Sequence, residues 1–163
     1  MDRPNRSSTL DWVAGHDPLH VVPLADPVVE ALGYDPRSAY PELFWLPILG
    51  PSTLWTLRRV AAGFDAHPEG FDLPLSRLGG ELGLTGGVTR NGPTARTINR
   101  LVDFDMARVV GDALAVRRKL PPLTRRHVLR LPTHLAERHQ ALLEAALRSQ
   151  RRDRAAPVVA LHR

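Results

Sequence analysis

Apolar positions recur with a helical period in three places between residues 54 and 104. Over residues 54–62, Leu54, Leu57, Val60 and Ala61 share one side, Arg58 and Arg59 fall elsewhere, and Gly63 closes the run. Leu75, Leu78 and Leu82 then fall at i, i+3 and i+7 behind Asp72 as a cap, and the helix ends at Gly83. Gly79-Gly80 weakens this second helix by about 1 kcal/mol per residue relative to alanine, so its leucines must be buried. A small residue there also lets another helix approach closely. The third helix runs from Gly92 to about Phe104, with Asn91 as cap and Pro93 in its first turn. Ala95, Ile98, Leu101 and Val102 share one face. Arg96, Asn99, Arg100 and Asp103 share the opposite face, with Thr97 at its edge.

The period then changes. Two β-prone runs, residues 106–110 and 113–119, flank Gly111-Asp112 and predict a hairpin with a two-residue turn. That turn sets Val109 opposite Leu114 and Ala107 opposite Val116 on one face. Arg108, Arg117 and Lys119 alternate to the other.

The flanks are less regular. Residues 1–33 carry Pro, Asp and His without a sustained period and read as an extended arm, with one short helix from Pro27 capped by Asp26 and ended by Gly33. Residues 40–47 form an aromatic cluster between prolines. Pro41 starts a helical turn, Pro47 stops it, and Tyr40, Phe44 and Trp45 are expected to cover the core rather than a partner. Residues 64–71 read as a loop, and Leu120-Pro121-Pro122-Leu123 as a stiff linker to a short helix at 124–130 and a longer one at 133–148. The domain reading is therefore an arm over residues 1–50, a central domain at 51–120, C-terminal helices at 121–149, and a basic disordered tail at 150–163.

Composition sharpens this picture in two ways. There is no cysteine, so disulfides, thiolate metal sites and a cysteine nucleophile are excluded. No leader or membrane-spanning run is visible, which points to the cytoplasm. The net charge of +5 is also uneven: residues 1–89 carry −5 and residues 90–163 carry +10. Such an asymmetry points to a polyanionic partner. Of the 22 basic residues only Lys119 is lysine, a bias that fits a GC-rich genome and is not itself evidence for phosphate recognition.

Helix, loop, helix, turn, helix and hairpin, in that order, resemble the winged helix-turn-helix superfamily. Residues 75–84 look like the first helix of the motif and its turn, residues 92–104 like the recognition helix, and residues 106–119 like the wing. The turn from Gly83 to about Asn91 is longer than the usual three or four residues. A second resemblance, carried by residues 40–51 (YPELFWLPILGP) and 116–123 (VRRKLPPL), is to a family of uncharacterised actinobacterial proteins; it implies no function.

The fold expected is thus mainly α with a small β-hairpin. The winged helix resemblance implies a non-catalytic transcriptional regulator on double-stranded DNA. Arg96, Asn99 and Arg100 would face base edges in the major groove. Thr94 and Thr97 lie on the same helix, and Arg90 stands at its N-terminus, where N–H groups attract phosphate. Arg108, Arg117, Arg118 and Lys119 on the wing would meet backbone phosphates. No cofactor and no metal are expected: His16, Asp17 and His20 are split by Pro18, and no glycine-rich phosphate loop is present. A homodimer is a further expectation. The alternative is a protein–protein adaptor that uses the aromatic segment or the C-terminal helix.

Overall fold

The computed structural model describes residues 6–155. They form two compact units, one ending at Leu123 and the other beginning at Thr124. The first unit opens with α1 (Arg6–Ala14), β1 (Leu19–Pro23) and α2 (Pro27–Leu32). A π-helical turn, Pro41–Trp45, leads directly into α3 (Leu46–Leu49) and α4 (Pro51–Ala66). Then follow β2 (Phe71–Leu73), α5 (Leu75–Glu81), α6 (Pro93–Asp103), β3 (Ala107–Val110) and β4 (Ala113–Val116). The architecture is mainly helical around one four-stranded sheet of order β2-β1-β4-β3.

The hairpin has the expected register, Ala107 opposite Val116 and Val109 opposite Leu114. Its turn needs a left-handed residue, and Gly111 supplies one at φ 59°. The sheet, however, is wider than a hairpin. Residues read as part of an arm supply β1, which runs parallel to β4 and antiparallel to β2. Leu19 and Val21 are fully buried while His20 between them is exposed, the alternation of a half-buried strand. β2 occupies residues read as loop and helix start. Asp72 therefore sits on the sheet, its carboxylate 2.8 Å from His20 Nδ1. The N-terminus of α5 is capped instead by Asp17, which accepts from the backbone N–H groups of Leu75 (2.8 Å) and Ser76 (3.3 Å).

Two glycines act through packing. Gly63 does not end α4: a side chain there would meet the Phe71 ring at 2.2 Å, so the helix keeps a bare turn against that ring. Gly79 is the close approach expected of a small residue, with Thr94 Oγ1 of α6 2.7 Å from where a Cβ would stand. The aromatic cluster is core. Phe44 and Trp45 are fully buried, Trp45 Nε1 donates to Pro121 O at 2.8 Å, and Tyr40 stacks on Tyr34 with ring centroids 3.7 Å apart. Pro47 does not stop the helical turn but sits at the start of α3. The linker at 120–123 is docked: Leu120 is fully buried and the Leu123 N–H donates to the Tyr40 hydroxyl at 2.9 Å.

The second unit contains α7 (Arg125–Val128) and α8 (Thr133–Ala155). Helix α8 continues through residues 150–155, which the sequence reading assigned to a disordered tail. Gln150, three arginines and Ala155, all good helix formers, explain the extension. Residues 156–163 of that tail lie outside the described residues. From Gln140 to Arg154 every residue of α8 is exposed.

Candidate functional site

Helix α6 forms as expected, but its polar face is only partly free. Ala95, Ile98 and Leu101 are fully buried, as the period requires. Thr94, Thr97 and Asn99 are buried as well, at 2%, 7% and 3% exposure. The cause is α1, which lies against α6 and brings Thr9 and Val13 into the interior. Thr97 Oγ1 donates to Pro93 O within its own helix at 2.9 Å. Arg90 remains half-exposed and is paired with Asp11 of α1 at 2.5 Å. These side chains do not form the open reading face expected of a recognition helix.

The arginines of α6 divide. Arg100 reaches the end of α3, where Nε donates to Leu49 O and Nη2 to Ile48 O, both at 2.6 Å. Its guanidinium also lies 5.0 Å from the Phe104 ring centroid. It holds the corner between α3 and α4, since those carbonyls end a helix and have no intrahelical donor. Arg96 is exposed and has no hydrogen bond or ion pair among the described residues.

The hairpin cations are also largely consumed by the fold. Arg117 is 7% exposed. It donates to Asp105 O at 2.7 Å and to Asp105 Oδ2 at 3.0 Å, and it pairs with Asp26. The guanidinium of Arg117, aided by the Val29 N–H, holds the Asp26 carboxyl below the ordinary carboxylate range. Arg118 donates to Pro68 O and Lys119 Nζ to Glu30 O, each at 2.6 Å. Only Arg108 keeps the outward position expected of it, half-exposed and 3.1 Å from Asp105. The predicted basic face is therefore not one open surface: of its ten residues Arg90, Arg96, Arg100 and Arg108 are exposed, and of these four only Arg96 has no partner among the described residues.

Two features were missed. The first is a cavity of about 690 Å³ bounded by α1, α4 and α6 and lined by residues that include Leu10, Ser52, Asn91, Arg96, Asn99 and Arg100. The N-terminus of α4 opens on it with no side-chain cap, and the first backbone bond of that helix is Leu54 N–H to Gly50 O at 3.1 Å. Asn99 Nδ2 donates to Asp103 at 3.0 Å, which fixes the amide orientation because a carboxylate only accepts. Asn99 Oδ1 is buried and has no partner, a deficit that costs on the order of 1–3 kcal/mol. The second feature is the charge of the second unit. Arg125, Arg126, Arg130, Arg138, Arg151, Arg152 and Arg154 are exposed and unpaired among the described residues; only Arg148 approaches an acid, Glu144 at 4.0 Å. Burial holds His127 and His139 below the ordinary histidine range, with Arg130 and Arg126 adding to the effect at His127.

The residues considered for a metal are used separately. His16 contacts Trp12 O at 2.6 Å, His20 pairs with Asp72, and Asp17 caps α5. No helix among the described residues is long and apolar enough to cross a membrane. Comparison of the chain with protein-family models, with curated proteins and with solved structures finds no match in any of the three.

Proposed function

We propose that this chain is a non-catalytic DNA-associating protein, built on a winged helix-turn-helix body, that holds the duplex through phosphate contacts from α7 and α8. The order α4, β2, α5, α6 and the β3–β4 hairpin supports the winged helix reading, with β1 as an added strand inside the sheet. The observation that carries the functional reading is the distribution of free charge. The cations of the first unit are largely spent on internal carbonyls and carboxylates, whereas seven arginines of the second are exposed and unpaired. Unpaired arginines close together attract a polyanion and release its counterions, which gives affinity without base selection. Regulation of transcription on this basis would act through occupancy rather than through a sequence read by α6.

A titration of a fluorescent random-sequence duplex at two salt concentrations tests the proposal. The triple variant Arg151→Ala, Arg152→Ala, Arg154→Ala should bind more weakly and lower the salt slope by about one unit per lost contact. Unchanged affinity and slope would remove the basis for the reading. In that case a protein adaptor stands instead, favoured by Leu142, Leu143 and Leu147. These are exposed at 41%, 40% and 55% on one side of α8.

A further inference from the structure

We infer that residues 140–154 of α8 are a reversible dimer interface, along which the helix pairs antiparallel with α8 of a second copy of this chain. Among the described residues nothing covers this stretch. Every residue from Gln140 to Arg154 is exposed, whereas just before it His139 is 2% exposed and Leu135 and Ala136 are half-buried. The bare stretch spans about 22 Å, and a helix of that length without tertiary contacts is marginal in water. Its spacing defines a seam. Gln140, Leu143, Leu147, Gln150 and Arg154 recur at alternate steps of four and three or three and four, the period of helices that pair along their length. Leu143 and Leu147 in that seam are 40% and 55% exposed. Glu144 and Arg151 stand a heptad apart on one flank of it, while Arg148 and Arg152 fall outside it.

Self-complementarity identifies the occupant. Leu147 is the midpoint of the bare stretch, and Glu144 and Arg151 lie on either side of it. An antiparallel copy centred there sets Leu143 and Leu147 of each helix against Leu147 and Leu143 of the other, and Glu144 of each beside Arg151 of the other. One patch is thus used twice, as a twofold interface requires. Arg151 is exposed and unpaired among the described residues. The Glu144 carboxylate, 53% exposed, accepts from Gln140 at 3.0 Å and lies 4.0 Å from Arg148, which leaves room for a second cation. A parallel pair would instead set Arg154 against Arg154 in the seam and leave Glu144 and Arg151 without opposite charges across it. The antiparallel pair also stays within the bare stretch, with Arg154 near Gln140 of the other helix, so the covered part of α8 is undisturbed. A seam of about two heptads is smaller than a standard interface of roughly 1,600 Å², so the dimer is reversible rather than obligate.

Sedimentation equilibrium of the full chain tests the inference. The mean mass is expected to rise from the monomer's 18.1 kDa toward twice that value as the concentration climbs through the micromolar range. Leu143→Gln combined with Leu147→Gln, which keeps helix propensity, should weaken association at least about tenfold at an unchanged melting temperature. Glu144→Arg should weaken it by like charge, and adding Arg151→Glu should restore it. A chain that stays monomeric at millimolar concentration overturns the inference, as does association that the leucine variant leaves intact or that the charge swap fails to restore. The chain has no native cysteine, so Gln150→Cys reports orientation: its two copies are far apart in an antiparallel pair, and rapid disulfide formation between them would overturn that arrangement. The leucine variant keeps every arginine and should bind duplex DNA like the wild type, so this interface and the DNA reading can fail separately.

Discussion

Replacing Arg117 with alanine separates a structural cation from a phosphate-binding one. Its side chain is 8% exposed and bridges Asp26 and Asp105, and it also occupies the Asp105 carbonyl. Removing one partner of a buried ion pair costs about 3–5 kcal/mol, chiefly because uncompensated charge remains. Here the stranded carboxylates keep contact with water, with side-chain exposures of 29% and 58%, so the cost should fall near the low end, at about 3 kcal/mol. Asp105, moreover, holds a left-handed backbone at φ 57°, a conformation that the Arg117 contacts help to maintain. For a unit of this size the melting temperature should drop by about 10 °C. Arg117→Lys should recover only part of the loss, because an ammonium cannot reproduce the guanidinium fork. Circular dichroism melting paired with a duplex titration provides the assay. A variant that melts like the wild type but loses about one unit of salt slope would refute this account and return Arg117 to the phosphate surface.

The other predictions are simpler. Gly79→Ala should destabilise by about 1–3 kcal/mol, because its Cβ would stand 2.7 Å from Thr94 Oγ1; Gly80→Ala, with nothing within 4 Å, should stabilise by up to about 1 kcal/mol, and equal melting temperatures would refute the packing argument. Ile98→Ala and Leu101→Ala should each cost about 2–5 kcal/mol in chemical denaturation, since both side chains are fully buried. His139 has a depressed folded pKa, so its neutral form is the native one and the unfolded chain takes up its proton first. Its contribution should be complete above pH 6.5 and fall as acid is added below it; melting from pH 8 to pH 5 checks this, and His139→Leu should flatten that slope.

What the sequence disclosed was local. Helices α4, α5 and α6 and the hairpin register each follow from a period within a dozen residues, and Gly79 was recognisable as a contact point. Strand β1 was not, because LHVVP is short, sits among prolines, and pairs with β2 and β4 about fifty and ninety residues further along. Its alternation of Leu19, His20 and Val21 was the available signal. Helix α1 gave weaker notice, since among its described side chains, residues 8–14, only Thr9 and Val13, four residues apart, are buried.

The same locality explains the misplaced basic face. On a helical projection, Arg96 and Arg100 are equivalent surface positions. They become different only because the carbonyls of Ile48 and Leu49, about fifty residues earlier, end a helix beside one of them. Arg118 and Lys119 are taken in the same way by carbonyls of Pro68 and Glu30. A chain of short helices and tight corners leaves many carbonyls without intrahelical donors, and long cationic side chains are the groups able to reach them. Charge counted along such a sequence therefore overstates the charge available to a partner. The excess counted in the later half was real, but much of its share in the first unit stabilises corners. Most of the share that remains free among the described residues lies beyond Thr124, with Arg96 the exception in the first unit. A partner drawn by charge would accordingly find its free cations on α7 and α8 rather than along α6, whose polar face is partly covered by α1.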